Sequence, residues 1–207
     1  GDSVTKYNDS GQLGIAEFNK ETDKCFADVF KKADTIMYSK KTEMKAKLAK
    51  AKKIVFTHTA TEALNLIIRG LQISDNYTVY ISPFEHNAVT RVLTYLQGLY
   101  DIDIETLAVD KATMTYDFAK IKNQFADKKP NWMIVSHASN VCGVVSPIKE
   151  LCKLSKEFGA VNIVDMCQTA GLIDTDLSSE DYDFAVFDGH KTLYSPLGVA
   201  GIVSSFK

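Results

Sequence analysis

Arginine is nearly absent from this chain, since Arg69 and Arg91 are the only two among 207 residues. Proteins that bind nucleic acid usually carry clustered arginine and lysine together with a strongly basic charge. Here 24 basic residues stand against 26 acidic ones, which gives a formal net charge of −2. The charge balance therefore offers no electrostatic reason to expect a nucleic acid partner.

Several motifs that would identify a metal or nucleotide site are missing as well. No CxxC or HExxH occurs, so a zinc site has little support. No GxGxxG or GxxxxGK[ST] loop occurs, which removes the main support for a dinucleotide or ATP site. No uncharged apolar run approaches membrane-spanning length, so we expect no membrane partner, and residues 1–14 lack the apolar centre of a signal peptide. Unpaired cysteines in a chain of this size predict free thiols in a reducing, cytoplasmic setting.

The first quarter of the chain differs in pattern from the rest. Residues 1–20 are polar and are expected to form an irregular arm, while residues 21–53 show helical periodicity. The lysine-rich stretch 42–53 is interpreted as a solvated helix face, with a basic docking patch as the less favoured alternative. We therefore separate an N-terminal arm with helices, residues 1–53, from a single domain over residues 54–207.

Beyond residue 53, short apolar runs alternate with stretches long enough for crossover helices. This alternation is typical of βαβ units and predicts a three-layer α/β/α sandwich with a seven-stranded, mostly parallel (mixed) sheet. The last strand can run antiparallel because only a short loop precedes it. The predicted strands are Ile54–Thr57, Thr78–Ile81, Ile104–Val109, Trp132–Val135, Val161–Val164, Phe184–Phe187 and Gly201–Val203.

Two helix starts carry capping signals. The stretch Thr59–Glu62 predicts a capping box, and with it the start of a helix, directly after the first strand. Gly70 is expected to end this helix. Ser82–Glu85 reads as a second capping box with Pro83 at the first helical position. This reading places His86 in the first turn of a helix.

Polar side chains follow five of the seven predicted strands, and ligands of open α/β sheets bind at that edge. Each residue alone has an ordinary structural explanation, such as a cap, a turn acid or a surface lysine. One ligand would use them all, namely an anionic aromatic cofactor with a ring nitrogen and an aldehyde. A helix N-terminus suits its phosphate, a carboxylate suits a protonated pyridine nitrogen, and a lysine amine suits the aldehyde. The residues are Thr59, Ala60, Thr61, His86, Ser136, His137, Ser139, Asn140, Asp165, Gln168, Asp188, His190 and Lys191.

Five stretches in this order resemble the class V aminotransferase group of pyridoxal-phosphate-dependent enzymes, which includes cysteine desulfurases and selenocysteine lyases. The stretches are Phe56–Asn65, Glu85–His86, Ser139–Gly143, Val164–Gln168 and Gly189–Lys191. The resemblance covers roughly residues 40–207. It implies the large-domain fold of these transferases, pyridoxal 5′-phosphate as cofactor, a small amino-acid substrate and a homodimer.

The resemblance also implies a role for each matching residue. Lys191 corresponds to the Schiff-base lysine, and Asp165 to the partner of the pyridine nitrogen. His86 corresponds to the residue that stacks on the ring and can aid proton transfer. The remaining cofactor contacts are Gln168 and Asn140 at the phenolic oxygen, and Ala60, Thr61 and His190 at the phosphate.

Asp188 departs from the family pattern, which commonly has serine or another small residue two positions before the His-Lys pair. A carboxylate beside a phosphate dianion is repulsive, so we expect Asp188 to point away or to weaken phosphate binding. His58 and Thr59 also replace the Ser-Gly pair common in the family. The pairing of Lys191 with Asp165 is unaffected by either change.

In the family, a smaller C-terminal domain carries the arginine for the substrate carboxylate and, in desulfurases, the nucleophilic cysteine. Because the sequence ends at Lys207, we expect only the large domain here, inactive alone, and no nucleophilic role for Cys142, Cys152 or Cys167. A desulfurase or lyase is the favoured parent activity, with a transaminase as runner-up. The alternative is a truncated or inactive domain that serves as a partner-binding module.

Overall fold

The computed structural model describes residues 3–7, 13–17, 53–70, 76–175, 177 and 181–204, together with three single helical positions at 28, 31 and 35. Most of the predicted helical region 21–53, with its lysine-rich stretch, lies outside these residues. No helix among the described residues is long and apolar enough to cross a membrane.

Eleven strands and four helices make up the described part of the chain. The strands are β1 (Ser3–Tyr7), β2 (Leu13–Glu17), β3 (Lys53–Thr57), β4 (Tyr77–Ile81), β5 (Ile102–Thr106), β6 (Val109–Asp110), β7 (Thr115–Tyr116), β8 (Trp132–Ser136), β9 (Val161–Asp165), β10 (Phe184–Asp188) and β11 (Ala200–Ser204). The helices are α1 (Ala60–Gly70), α2 (Asn87–Gln97), α3 (Phe118–Asp127) and α4 (Ile148–Glu157).

The central sheet has seven strands, as the sequence predicts, and their order is β3-β11-β10-β9-β8-β4-β5. β11 runs antiparallel to both of its neighbours, and the pairings among β10, β9, β8, β4 and β5 are all parallel. The sheet is therefore mixed but mostly parallel. The predicted strand over residues 104–109 is shorter than expected, because β5 ends at Thr106 and Val109–Asp110 pairs instead with Thr115–Tyr116.

The N-terminal segment contains a feature that the sequence analysis missed. β1 and β2 form an antiparallel hairpin in which Ser3 pairs with Glu17 and Tyr7 with Leu13. The expectation of an irregular arm is therefore wrong for these two stretches. Backbone pairing between the strands stabilises the hairpin locally, so it needs no strong apolar pattern.

Hydrophobic residues bury both faces of the central sheet. On one face, α1 and α2 pack with Val79, Ile134 and Ile163 of the sheet. On the other, α3 and α4 pack with Tyr80, Met133, Val135 and Val164. Because successive residues of a strand point to opposite faces, burial on both sides produces the continuous apolar runs seen in the sequence.

The second helix start differs from the prediction. α2 begins at Asn87 with His86 as its N-cap, whereas the capping-box reading placed the start near Pro83. Ser82 Oγ does accept the Phe84 N–H at 3.2 Å, but the Glu85 carboxylate turns into the protein to meet Ser136. A tertiary contact has therefore replaced the local capping interaction.

Asn162 of β9 joins the sheet to α4 through a buried polar network. Its Oδ1 accepts from Ser155 Oγ at 2.5 Å, and its Nδ2 donates to the carbonyl oxygens of Cys152 at 3.0 Å and Asp181 at 2.6 Å. The side chain is fully buried. Removing it breaks all three of these hydrogen bonds at once, and a buried hydrogen bond is more costly to lose than an exposed one.

We expect Asn162→Ala to lower the free energy of unfolding by about 1–3 kcal/mol, because it removes three hydrogen bonds and leaves the Ser155 hydroxyl with Cys152 O as its remaining acceptor. Urea denaturation measures the change. Asn123→Ala, on the exposed surface of α3, is the matched control, and its effect should stay within about 0.5 kcal/mol. Equal effects of the two substitutions would contradict the role of the network.

Candidate active site

A cavity of about 220 Å³ opens where the carboxyl ends of β8, β9 and β10 face the first turn of α1. Eleven of the thirteen residues that the sequence analysis placed at this edge line the cavity, and His137 and Ser139 do not. The eleven are Thr59, Ala60, Thr61, His86, Ser136, Asn140, Asp165, Gln168, Asp188, His190 and Lys191, and they are joined by Leu64, Ala88, Ala138 and Cys167. The topology therefore gathers residues that are spread over more than half of the sequence.

The N-terminus of α1 forms one corner of the cavity. Thr59 Oγ1 accepts the Glu62 N–H at 3.0 Å, as the capping box predicts, while the Glu62 carboxylate accepts the His58 N–H at 2.9 Å. Among the described residues, the N–H groups of Ala60 and Thr61 meet no acceptor. Free N–H groups and the positive end of the helix dipole make this corner suitable for an anion.

His86 stands at the opening of the cavity with its ring held by its own helix. As N-cap of α2, its Nδ1 accepts the Ala88 N–H at 3.1 Å. An accepting Nδ1 carries no proton, so in the neutral ring the proton resides on Nε2. The imidazole is thereby oriented with Nε2 available as a donor and its face exposed.

Asp165 lies at the floor of the cavity, at the end of β9. The residue is buried, and its Oδ1 accepts the Cys167 N–H at 2.9 Å. Burial, reinforced by the negative charge of Asp165, raises the pKa of the Cys167 thiol, so that side chain stays protonated. Cys167 thus behaves as a small packed residue beside the carboxylate.

Lys191 reaches the cavity from a tight turn that follows β10. The Gly189 N–H donates to Val199 O, and the Ser195 N–H donates to Gly189 O, both at 2.8 Å. A Cβ at Gly189 would collide with Ser195 Oγ and lie 2.7 Å from Val199 O, so only glycine fits. The closed turn fixes where Lys191 leaves the backbone, while its side chain remains exposed.

Asp188 and His190 form a close pair on the same turn. Asp188 is buried, and its Oδ1 lies 2.6 Å from His190 Nδ1. The contact is electrostatic rather than a well-directed hydrogen bond, and no described residue donates one to this oxygen. Asp188 therefore adds a carboxylate to the cavity wall, with the His190 imidazole beside it.

The remaining predicted residues lie on turns after β8 and β9. Asn140 is exposed on a turn closed by the Gly143 N–H to Ser139 O bond, where Gly143 adopts a φ of 69° that favours glycine. Gln168 is half-buried. His137, which also follows β8, does not line the cavity, because its Nδ1 pairs with Thr169 Oγ1 at 2.8 Å and burial lowers its pKa.

Glu85 is the functional candidate that the sequence analysis assigned only to a helix cap. Its carboxylate accepts from the Ser136 N–H at 2.6 Å and from Ser136 Oγ at 2.9 Å, and it also bonds Ser82 Oγ. Burial, with a smaller contribution from the Asp165 charge, raises the pKa of Glu85 to about 7. The sequence feature that could have revealed this position is an acidic residue directly before His86, in a segment that is otherwise expected to be buried.

A chain of hydroxyl groups continues from Glu85 behind the cavity. Ser146 Oγ donates to Ser136 O at 2.7 Å, and the Tyr116 hydroxyl lies 2.8 Å from Ser146 Oγ. Burial raises the pKa of Tyr116 to about 12, so the phenol stays protonated. The network anchors Ser136, which lines the cavity and pairs in register with Asp165.

The donor set of the cavity fits pyridoxal phosphate. The free N–H groups of Ala60 and Thr61 suit the phosphate, the buried Asp165 carboxylate suits a protonated ring nitrogen, and the Lys191 amine suits the aldehyde. Asp188 is the one poorly matched group, because its negative charge lines the same cavity.

Glu85 should make stability depend on pH. Its pKa is raised from 4.5 to about 7 on folding, so the folded state holds a proton that the unfolded state releases, and stability falls as pH rises through this window. Glu85→Gln stays neutral and should gain about 2 kcal/mol relative to wild type between about pH 5.5 and about pH 8.

Urea denaturation of both proteins at the two pH values measures this difference. Glu157→Gln replaces an exposed acid of α4 and is the matched control. A difference between Glu85→Gln and wild type that does not change with pH would show that Glu85 is already ionised across the range.

Comparisons with known proteins agree on one family. A probable cysteine desulfurase of Methanothermobacter thermautotrophicus is 28% identical over 158 residues, which cover 76% of this chain and 38% of that protein. The cysteine desulfurase of Pectobacterium atrosepticum is 30% identical over 156 residues, covering 73% of this chain and 37% of that protein. The chain thus spans less than two-fifths of the length of these curated relatives.

The fold has counterparts among solved structures. The apo structure of a cysteine desulfurase from Thermococcus onnurineus superposes with a TM-score of 0.71 at 24% identity, covering 83% of this chain and 44% of that one. At this identity the likeness shows the fold alone. The family model for aminotransferase class-V matches residues 23–205. The chain therefore belongs to the class V aminotransferase family, whose members depend on pyridoxal phosphate.

Proposed function

We propose that this chain is the cofactor-binding part of a pyridoxal-phosphate-dependent enzyme that acts on a small amino acid as a cysteine desulfurase or selenocysteine lyase. The observation that carries the proposal is the meeting of Lys191, Asp165 and the open N-terminus of α1 around one cavity. The names of the curated relatives favour a desulfurase. An aminotransferase is the runner-up, which the family description supports.

Each residue contributes a separate task. The N–H groups of Ala60 and Thr61 would bind the phosphate, with His190 in the same cavity. The negative charge of Asp165, whose Oδ1 is oriented by the Cys167 N–H, would keep a proton on the pyridine nitrogen. Asn140 and Gln168 supply amide contacts for the phenolic oxygen.

The chemical step depends on two further side chains. Bound pyridoxal phosphate supplies an electron sink for bond cleavage at the α-carbon or loss of a β-substituent of the amino acid. Lys191 Nζ must lose its proton to act as a nucleophile, and the exposed position of the amine lets water accept that proton. His86 offers its ring face and, at Nε2, a proton that can be passed to the substrate.

We extend the proposal to a cytoplasmic homodimer. Large apolar side chains remain exposed in this chain, among them Phe56 at 71% and Leu197 at 81%. A second copy would remove such surface from water. Cys142, Cys152 and Cys167 are free thiols, which agrees with a reducing compartment.

A partner-binding module without catalysis is the alternative function. Asp188 favours it, because a buried carboxylate in the cavity wall opposes a phosphate dianion. The presence of Lys191, Asp165 and His86 in the same cavity favours the enzyme. The two functions differ in a direct observable, namely the visible absorption of the protein after addition of pyridoxal phosphate.

We expect the wild-type chain to give a yellow absorption band with pyridoxal phosphate, and Lys191→Ala to abolish it. Lys153→Ala, an exposed lysine of α4 outside the cavity, is the matched control and should retain the band. Absorption spectra before and after borohydride reduction measure the outcome. A reducible yellow species at undiminished strength in Lys191→Ala would remove Lys191 from the proposed role.

Asp188→Asn should tighten the binding of pyridoxal phosphate about fivefold, or about 1 kcal/mol, because it removes a negative charge from the wall of the cavity that receives the phosphate. Absorbance titration at fixed ionic strength measures the affinity. Pyridoxal without phosphate is the control ligand and should bind both proteins equally. Weaker binding of pyridoxal phosphate to Asp188→Asn would show that the carboxylate helps to organise the site.

A further inference from the structure

A second groove, of about 410 Å³, lies between α1 and α2 and adjoins the cavity described above. Thr61, His86 and Ala88 line both spaces, so the groove and the cavity are continuous at the first turns of the two helices. Its volume is within the range of about 300–1,000 Å³ that small-molecule sites occupy. None of the roles proposed above uses the far end of this groove.

Both arginines of the chain, Arg69 and Arg91, line this groove. No aspartate or glutamate is among its lining residues, although acidic residues outnumber basic ones in the chain as a whole. Neither arginine forms an ion pair with a described residue. The groove is therefore a local concentration of positive charge without a counter-charge from its own walls.

Arg69 is held in place before any ligand arrives. Its Nε donates to Asn65 Oδ1 at 3.2 Å, and Asn65 Nδ2 in turn donates to Thr61 O at 2.8 Å. From the other helix, the Tyr95 ring lies under the guanidinium, with 4.9 Å between Arg69 Cζ and the ring centroid. Because Nε is engaged, the terminal Nη groups remain as the donors for a ligand.

We propose that the groove binds a small molecule through a carboxylate group held by Arg69 and Arg91. The guanidinium fork matches the two oxygens of a carboxylate, and a fixed arginine loses less conformational freedom on binding than a lysine does. The proposal goes beyond the cofactor chemistry and depends only on the two arginines. A molecule seated there would have its other end beside His86, at the opening of the cavity.

Succinate is the probe, because it is small, carries two carboxylates and has no amino group that would compete with Lys191 for the aldehyde of pyridoxal phosphate. Isothermal titration calorimetry with the wild-type chain should show saturable binding that weakens as sodium chloride is raised. Arg69→Gln and Arg91→Gln should each weaken binding about tenfold, as expected for loss of a charge-assisted hydrogen bond. Lys111→Gln, an exposed lysine outside the groove, is the matched control and should bind as wild type does.

Three further measurements distinguish a carboxylate site in the groove from other kinds of binding. Arg91→Lys should bind with intermediate affinity if the fork matters, and circular dichroism checks that every variant is folded. Inorganic phosphate titrated in parallel should keep its affinity in Arg69→Gln and Arg91→Gln, because the free N–H groups of Ala60 and Thr61 offer it a separate site. Loss of phosphate binding in both variants would overturn the carboxylate assignment. Lys191→Ala should leave succinate affinity unchanged, so the outcome is independent of the proposed cofactor role.

Two results would overturn the proposal. No heat of binding in the wild type, or binding that survives both arginine substitutions at full strength, would show that the groove is not a carboxylate site. Loss of binding in Lys191→Ala with retention in Arg91→Gln would instead assign succinate to the cofactor cavity.

Discussion

Parallel hydrogen bonding holds the carboxyl ends of β8, β9 and β10 level, and every polar group of the cavity depends on that alignment. Asp165 pairs in register with Ser136 on one side and with Val186 on the other. Asp188 therefore lies two residues further along β10 than Val186, the residue that pairs with Asp165. At this point the tight turn brings Lys191 back over the sheet. A slip of one residue in β9 would turn Asp165 to the opposite face of the sheet.

Three buried or partly buried carboxylates gather around this edge, and each is balanced differently. Ser136 donates two hydrogen bonds to Glu85, and burial, with a smaller contribution from the Asp165 charge, raises the pKa of Glu85. The Cys167 N–H orients Asp165, and His190 faces Asp188. Asp165 and Asp188 line the cavity and suit a protonated ring and an amine, while the start of α1 supplies free N–H groups for an anion. Such separation of charge within one cavity matches a zwitterionic ligand.

Helix α1 contributes residues to both the cavity and the groove. The first turn of α1 presents free N–H groups to the cavity, while Asn65 and Arg69, which follow Thr61 at intervals of four residues, face the groove towards α2. The spacing of four residues aligns these side chains on one face. His86, the N-cap of α2, stands between the two spaces, so its orientation matters to both.

The sequence by itself determined the number of strands in the central sheet, the start of α1 and the chain order of the site residues. Apolar runs with β-branched residues and the Thr59–Glu62 capping box are local signals, so they could be interpreted without coordinates. Only the tertiary structure decided that the Glu85 carboxylate turns into the protein, because its partner Ser136 is 51 residues away in sequence. The groove between α1 and α2 was equally hidden, since Arg69 meets Tyr95 only after the two helices pack side by side. Local patterns fix elements, whereas contacts distant in sequence fix which polar side chains are buried and which charges share a surface.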